Sequence, residues 1–346
     1  ITMALMNLSS PHHHSLSKTS RLMAWVLLAT LPGLAVQSYF YGYGTLINLV
    51  WASGLALGLE ALVLGLRRRP IMIFLTDGSA LVTAFLIALA LPPFSPWWLT
   101  LIAVLFSIVF AKHLYGGLGN NPFNPAMVGY AICLIAFPVS MTQWPAIEQT
   151  LSFGQQWQWF WMESIDGGID AWTGATALDL MRHTNGLTLN EVALDNPQLG
   201  LSLSVSMWVN LAYLAGGIGL LAINAFTWHA PIAMLASLGF CAGLFHMGEP
   251  DLYPSASQHL LTGATMFSAF FIVTDPVSGA TSRKGKVVFG IGVGILVFII
   301  RTFGSYPDAF AFAILLMNLS APLIDTYTRP KAYGHKPSKS SSQGDL

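Results

Sequence analysis

A threonine that follows glycine and alanine occurs three times in this chain, at Thr176, Thr265 and Thr281. The three copies read TGAT, TGAT and SGAT. A threonine hydroxyl is a poor nucleophile alone, so it carries a group through its oxygen only where a modifying enzyme can reach it. Glycine and alanine leave the backbone beside it accessible. The chemistry that this pattern predicts is a covalent attachment at an exposed threonine.

These threonines lie in a chain that is too apolar for an ordinary soluble domain. Hydrophobic residues make up 54% of it and charged residues 9%, whereas soluble domains carry about 25% charged residues. A bilayer-spanning helix needs about 20 mostly apolar residues, and about ten such stretches occur. They run near 22–40, 45–66, 71–91, 97–113, 124–139, 204–223, 230–247, 259–274, 287–302 and 306–325. The sequence predicts an all-α integral membrane protein, because a soluble helical core would need polar faces that these stretches lack.

The basic residues predict how the helices are oriented. With the N-terminus in the cytoplasm and the spans alternating, 13 of the 15 Lys and Arg residues fall inside, and only Arg182 and Arg301 fall outside. This bias is typical of a bacterial inner membrane protein, here with both termini cytoplasmic. The predicted segments are an N-terminal cytoplasmic segment (1–21), a first transmembrane half (22–139), an outer loop (140–203), a second transmembrane half (204–325) and a cytoplasmic tail (326–346).

Only one of the three threonines lies in the long outer loop. This loop contains Thr176, seven carboxylates and a single arginine, Arg182. Thr265 opens a predicted helix, where threonine is an ordinary capping residue, and Thr281 lies on the predicted cytoplasmic side. An acidic loop repels a dianionic phosphate unless a local basic pocket is present. A phosphate-bearing group in this loop is therefore expected to depend on a covalent tether.

An internal repeat is predicted to relate the two halves. DGSALVTAFLIAL at 77–89 and TGATMFSAFFIVT at 262–274 share Gly, Ala, Phe and Ile at matching places, with Thr83 opposite Ser268. Each half contains an odd number of predicted helices, so the two five-helix repeats must be inverted in the membrane. Inverted repeats of this kind build many ion-coupled membrane proteins, whose functional sites lie near the interface of the halves.

Four stretches together carry a family resemblance that covers nearly the whole chain. They are DGSALVTAFLIALALPP (77–93), GGLGNNPFNPAMVGYAICLIAFP (116–138), DAWTGATALDL (170–180) and FIVTDPVSGATS (271–282). In this order they resemble RnfD, a membrane component of the Rnf ion-translocating ferredoxin:NAD oxidoreductase complex, which is related to NqrB of the sodium-pumping NADH:quinone reductase. The resemblance implies electron relay coupled to Na⁺ or H⁺ movement.

The resemblance also implies a cofactor and partners. In that family FMN is joined by its phosphate to the last threonine of D-x-x-(S/T)-G-A-T, which is Thr176 here, preceded by Asp170, Thr173, Gly174 and Ala175. A flavin transferase makes this bond on the outer side of the membrane. The implied partners are the other membrane and peripheral subunits, including a second FMN-carrying subunit, with no nucleic acid. The isolated chain is expected to have no turnover and no catalytic residue of its own.

Several alternatives remain open at this point. The segment from Asp275 to Thr281 also fits the motif, and only its predicted cytoplasmic side argues against it. NqrB of the quinone reductase is the nearest rival, although the short segment before the first span favours the Rnf family. A cofactor-free ion transporter would leave the outer motif unexplained.

A second stretch, KHLYGGLGNNPFNPA at 112–126, breaks the helix pattern at membrane depth. Irregular backbone is tolerated there only where it is buried in protein or lines a cavity. Its free amides are expected to meet a flavin or a quinone carbonyl. By the resemblance, Gly116, Gly117, Asn120 and Asn124 are candidates for a second, noncovalent flavin such as riboflavin. The alternative is a tight cytoplasmic turn.

Two carboxylates in or beside the spans are candidates for an ion path. Glu60 lies in the inner part of the second span and Asp77 opens the third. Intramembrane carboxylates are costly and usually functional, so either could bind Na⁺ or relay H⁺. The alternative is helix capping, since Asp77 suits a helix N-terminus. The two cysteines, Cys133 and Cys241, form no metal site.

Overall fold

The structure is a computed structural model that describes residues 13–146, 151–165, 167–182, 188, 191–192, 204–304, 306 and 309–328. Within these residues the regular structure is helical apart from one isolated β-bridge, so the all-α prediction is confirmed for this part. Most of the predicted terminal segments (1–21 and 326–346) and most of 183–203 lie outside the described residues.

The first half begins with two long helices and continues with shorter ones. Its helices are α1 (His13–Tyr41), α2 (Gly44–Leu66), α3 (Ile71–Leu75), α4 (Ser79–Ala90), α5 (Trp97–Leu105), α6 (Pro125–Ala136) and α7 (Pro138–Met141). A π-helix over Phe106–His113 continues α5. The start of α6 follows from its sequence. Asn124 accepts a hydrogen bond from the N–H of Met127, and Pro125 sits where a helix needs no N–H.

The connecting segment and the second half contain the remaining helices. They are α8 (Phe153–Met162), α9 (Ala177–Arg182), α10 (Val205–Ala222), α11 (His229–Gly248), α12 (Ala256–Leu261), α13 (Thr265–Phe267), α14 (Arg283–Phe303) and α15 (Phe310–Thr328). A π-helix over Ser268–Ile272 continues α13. Ser204 and Ser282 cap α10 and α14 by accepting N–H hydrogen bonds, which are ordinary helix starts.

Within the described part of the chain, six helices are long and apolar enough to cross a membrane. They are the Thr19–Tyr41 part of α1 together with α2, α10, α11, α14 and α15, and three shorter apolar helices run over Ser79–Ala90, Trp97–His113 and Pro125–Ala136. The predicted spans 71–91 and 259–274 are not continuous helices. Each is broken at a glycine with positive φ, Gly78 (78°) and Gly263 (61°). This backbone conformation is costly for other residues, so the chain turns there, and ten continuous spans are not observed.

The helices approach closely where glycine faces backbone. A Cβ on Gly129 of α6 would overlap the carbonyl oxygen of Ala103 and the hydroxyl of Ser107, and one on Gly294 of α14 would overlap the carbonyl of Met234. Small residues at such crossings are typical of membrane helices, which gain stability from close packing rather than from the hydrophobic effect. Many large apolar side chains point outward, as expected for a surface that faces lipid.

The helix α8 is fastened to the first half by aromatic side chains. Trp159 is buried, and its Nε1 donates to the carbonyl of Phe94 at 2.7 Å. Trp161 lies edge-on to Trp51 with ring centroids 5.0 Å apart and stacks on Trp97. Aromatic rings with one polar atom suit the boundary between lipid and water. This packing holds the connecting segment against the ends of α2 and α5.

Candidate functional site

The segment 170–176 is held by backbone pairing to the residues after α7. Gly174 N–H donates to the carbonyl of Trp144 at 2.9 Å, and Ala146 N–H donates to the carbonyl of Trp172 at 2.9 Å. Pro145 and Thr173 form the isolated antiparallel bridge. A Cβ on Gly174 would lie 3.2 Å from the Cα of Ala146, so glycine permits this close approach. These backbone hydrogen bonds thus fix the position of the motif relative to the residues after α7.

Thr176 begins α9 and is closely bonded to Asp179. Its Oγ1 donates to Oδ2 of Asp179 at 2.6 Å and its N–H donates to the same oxygen at 3.1 Å, while Asp179 N–H donates back to Oγ1 at 3.3 Å. This is a reciprocal capping arrangement. In the charge pattern of the sequence, Asp179 is only one acid of the loop among seven. The spacing Thr-x-x-Asp was the signal that could have identified it.

The remaining motif residues lie around this pair without all touching it. Asp170 is exposed in a 3₁₀ turn (Ile169–Ala171), and its carbonyl accepts a hydrogen bond from the Thr173 hydroxyl at 3.4 Å. Ala175 is exposed and Thr176 is half-buried. Backbone contacts therefore fix Thr173 and Gly174 near the threonine, and Asp170 is exposed to solvent.

Thr176 and Asp179 open onto a cavity of about 140 Å³ between the two halves, called here the Thr176 cavity. Its walls come from α1, α4, α6, α10, the π-helix after α13, and α15. Aromatic residues form much of the lining: Tyr41, Tyr130, Trp144, Tyr213, Phe267 and Phe310. Apolar walls with a few polar groups are the usual lining of a cofactor site.

Three buried residues with polar atoms line the Thr176 cavity, namely Gln37, Tyr213 and Ser268. Tyr213 donates its hydroxyl to Oε1 of Gln37 at 3.0 Å. Ser268 also lines the cavity, and its Oγ has no hydrogen-bond partner among the described residues. A buried hydroxyl without a partner is costly. An aromatic lining with one unsatisfied hydroxyl therefore fits a planar ring that carries hydrogen-bonding edges, such as a flavin.

Two arginines lie beside this site. Arg182 donates to the carbonyl of Gly304. Arg301 is buried, donates to the carbonyl of His259 at 3.0 Å, and lies 4.9 Å from the ring centroid of Phe310 in the cavity wall. These are the same two basic residues that the charge pattern predicts to lie outside. The acidic loop therefore faces a local positive charge from the second half of the chain.

The other two threonine motifs differ from the first. Thr265 is fully buried, and its hydroxyl donates to the carbonyls of His259 and Thr262. Thr281 is exposed and donates to Oδ2 of Asp325 at 2.9 Å. Thr265 is thus inaccessible, as expected of a helix start. Thr281 shares the hydroxyl–carboxylate pairing of Thr176 but lines neither large cavity.

The glycine region after the first π-helix forms a compact turn. Gly116 and Gly117 have φ of 122° and 103°. The N–H groups of Gly116, Gly117 and Asn120 donate to the carbonyls of His113, Lys112 and Gly117. The expectation that these amides are free is therefore wrong. All three N–H groups donate to carbonyls of the same turn.

Of the four candidates for a second flavin, only Asn124 lines one of the two large cavities in the described part of the chain. This larger space of about 320 Å³, called here the Lys112 cavity, is also lined by Lys112, Asn121, Asp275 and Lys286. It borders Leu22 and Met23 near the start of α1, whereas the Thr176 cavity borders Tyr41 at the end of α1. The two cavities therefore lie at opposite ends of the helix bundle.

The two candidate ion-path carboxylates are close to one network. Glu60 is buried, and its two oxygens accept hydrogen bonds from Nζ of Lys112 at 2.7 and 2.8 Å. Lys112 also donates to the Ser79 hydroxyl at 2.7 Å, and Ser79 donates to Oδ1 of Asp77 through both its N–H and its hydroxyl. Asp77 thus accepts the N–H of Ser79, the first residue of α4, while Gly78 is the N-cap residue. Ser79 connects the two carboxylates.

Helices of this length and apolarity, which enclose two cavities, define an α-helical multi-pass membrane protein. A model of the NQR2, RnfD, RnfE family matches residues 6–334. The chain belongs to this family. It is 53% identical to the D component of the Ion-translocating oxidoreductase complex of Pseudomonas aeruginosa strain LESB58, over 96% of this chain and 97% of the relative. It is 49% identical to the protein of the same name from Vibrio atlanticus strain LGP32, over 96% and 100%.

Proposed function

We propose that this chain is the membrane subunit of an ion-translocating oxidoreductase complex and that it carries FMN as a phosphoester on Thr176. The observation that carries the proposal is the position of the Thr176 hydroxyl, which is half-buried at the mouth of an aromatic cavity between the halves. Relatives that are about half identical to this chain are named as components of an ion-translocating oxidoreductase complex, and this supports its proposed place in such a complex. Turnover then requires the partner subunits, among them a second FMN-carrying subunit.

Different residues of the Thr176 cavity would hold different parts of the flavin ring. Tyr41, Trp144 and Tyr213 supply flat apolar surface, and Gln37 and Ser268 supply hydrogen-bonding atoms. Arg301, behind Phe310, supplies positive charge near the end where the phosphate would be tethered. A flavin held there supplies one-electron chemistry. The protein contributes its position, its exclusion from water and its electrostatic surroundings.

The proposed sides of the membrane follow from the two ends of the bundle. Tyr41, which borders the Thr176 cavity, lies where α1 ends and α2 begins, and Arg67, Arg68 and Arg69 follow the other end of α2. The 23 residues of α2 span about 35 Å at about 1.5 Å per residue. With the arginines cytoplasmic, Thr176 faces the outside of the inner membrane, where a flavin transferase would reach it.

The proposed coupling uses the opposite end. The Lys112 cavity, with Asn124 in its wall, is the place where a second, noncovalent flavin would fit, and Glu60 and Asp77 lie next to it as candidates for Na⁺ or H⁺ movement. Inverted repeats would explain why similar breaks, at Gly78 and Gly263, precede α4 and α13. In this arrangement electrons pass from one cavity to the other, and the two transmembrane halves move relative to each other around the cavities.

The test is covalent flavin on the chain in its complex. The denatured chain should fluoresce on a gel under ultraviolet light, and its intact mass should exceed that of the polypeptide by one FMN less water. Thr176→Ala should abolish both signals, and added free FMN should not restore them. Thr281→Ala is the matched control and should keep them. Loss of the signal with Thr281→Ala alone, or a dark wild-type band in an active complex, would refute the assignment.

A further inference from the structure

We infer that Asp179 is the base that accepts the proton of Thr176 when the flavin is attached. The inference rests on the proposed function and concerns the attachment step, not electron transfer. Its basis is the direct contact between the reacting oxygen and a carboxylate. Oγ1 of Thr176 donates to Oδ2 of Asp179 at 2.6 Å.

The bond to be made determines what chemistry is needed. A hydroxyl does not form a phosphoester with free FMN, because the phosphate lacks a good leaving group. The donor must therefore be a phosphoanhydride of FMN, which is a flavin dinucleotide, delivered by a transferase. Oγ1 of Thr176 attacks the FMN phosphorus, the pyrophosphate P–O bond breaks, and the nucleoside monophosphate leaves with the bonding pair. The proton of Oγ1 passes to Asp179 and then to solvent.

Asp179 is well placed for this role. A general base must lie within hydrogen-bond reach of the proton that it takes, and Oδ2 already receives it. The same oxygen accepts the N–H of Thr176 at 3.1 Å, which fixes the carboxylate relative to the hydroxyl. Thr176 is only half-buried and Ala175 beside it is exposed, so a transferase can approach from the motif side.

A purely structural role is the competing explanation, because the same contacts cap α9. The chain contains an independent example of such a cap. Thr188 donates to Oε2 of Glu191 through its hydroxyl at 2.9 Å and its N–H at 2.8 Å, and Glu191 N–H donates back at 3.3 Å. Glu191→Gln therefore changes the same kind of cap in the same loop without touching Thr176, and serves as the matched control.

The informative variant is Asp179→Asn. Its amide oxygen can accept both hydrogen bonds from Thr176, so the cap is preserved, but an amide cannot take the proton. The full-length chain is produced in cells without the transferase, purified in detergent, and mixed with transferase and FAD. The initial rate of in-gel fluorescence is then measured. General bases contribute about 10²–10⁴-fold, so we expect a rate at least tenfold below wild type, with Glu191→Gln within about twofold.

The outcomes separate the two proposals. If Asp179→Asn is labelled at the wild-type rate while Thr176→Ala stays dark, Asp179 is only a cap and this inference is overturned, although the flavin site stands. If Thr176→Ala is labelled, the proposed function itself fails. If Asp179→Asn is slow, Asp179→Glu tests whether a carboxylate restores labelling. Recovery with Glu supports a base, and equal slowness of Asn and Glu shows that the shape of the cap, not proton transfer, limits labelling.

Discussion

The amine of Lys112 sits between the carboxylate of Glu60 and the hydroxyl of Ser79, 2.7 Å from the nearest oxygen of each. His113 Nε2 lies 3.5 Å from the same Glu60 oxygen. Lys112 and Glu60 are both buried, and Lys112 also lines the Lys112 cavity. The pair joins α2 to the π-helix that precedes the glycine turn. Through Lys112 it also reaches the wall of the Lys112 cavity.

Breaking this pair on one side should destabilise the protein strongly. Lys112→Met leaves the buried Glu60 carboxylate with only the 3.5 Å contact to His113, and removing one partner of a buried ion pair costs about 3–5 kcal/mol. The double variant Glu60→Leu with Lys112→Met should recover much of this loss. Thermal unfolding of the purified protein in detergent measures the effect. Glu249→Gln, at an exposed position, should change little, and an equally small effect of Lys112→Met would contradict the buried pair.

Glycine at the crossing of α5 and α6 should not tolerate a methyl group. A Cβ on Gly129 would overlap the backbone of Ala103, so Gly129→Ala should separate the helices and cost about 1–3 kcal/mol or more. Gly54 of α2 has nothing within 4 Å of its Cβ position, and Gly54→Ala should be neutral or stabilise by up to about 1 kcal/mol. Comparing the two unfolding midpoints tests the packing, and similar shifts would argue against it.

The side chain of Trp159 should matter more than that of its neighbour Trp157. Trp159→Phe leaves the carbonyl of Phe94 without its N–H donor and should cost about 1–3 kcal/mol. Trp157 is 47% exposed, so Trp157→Phe should stay within about 0.5 kcal/mol. Proteolysis of the connecting segment under native conditions provides a second measurement. Faster cleavage with Trp157→Phe than with Trp159→Phe would reverse the expected order.

The prediction of the fold succeeded where hydropathy alone decides it. The ends of α2, α10 and α11 agree with the predicted spans to within a residue or two, because long uniform apolar stretches leave few alternatives. Hydropathy could not detect the breaks at Gly78 and Gly263, since apolar residues continue on both sides. The Asp-Gly pair at 77–78 was an unused turn signal.

The site was predicted less completely than the fold. The motif at 170–176 made Thr176 the candidate, which stays a prediction, and the Thr-x-x-Asp spacing to Asp179 was present but not used. The approach of Arg301 to the cavity wall depends on tertiary packing between α14 and α15, which no local pattern encodes. The amides of Gly116 and Gly117 were predicted to be free because irregular sequence was equated with unsatisfied backbone. The turn satisfies them itself.

The pH dependence of stability should contain a contribution from Asp275, which lies in the turn before α14. Burial raises the pKa of this carboxyl above its ordinary value of 3.8, against the hydrogen bonds from Ser278 and Val277. Such a group favours folding fully below its unfolded pKa, and this contribution is lost as pH rises through the folded pKa. Asp275→Asn should remove that loss.

The measurement compares unfolding free energies of wild type and Asp275→Asn in detergent at about pH 5 and about pH 8. The advantage of the variant over wild type should be larger at the higher pH. Lys286 lines the same cavity, and Lys286→Gln checks whether its charge offsets the carboxylate. A variant that loses stability more steeply than wild type on going to high pH would contradict a raised pKa.

Single cysteines should report the two sides of the membrane. Ala175→Cys and Arg68→Cys both replace exposed residues, in a background where Cys241 is changed to Ser and the buried Cys133 is kept. An impermeant maleimide added to spheroplasts should label position 175 and leave position 68 unlabelled until the membrane is opened. Labelling of position 68 in sealed spheroplasts would place the arginines outside and overturn the proposed orientation.

The anchorage of α9 has a mechanical consequence. The chain before Thr176 is bridged to Pro145, and Arg182 at the far end of α9 is tied to Gly304. A redox group on that hydroxyl would have a fixed point of attachment. It could rotate about its ester bonds but could not move far from Thr176. Carrying electrons over longer distances would then require a neighbouring protein that moves toward this stationary group.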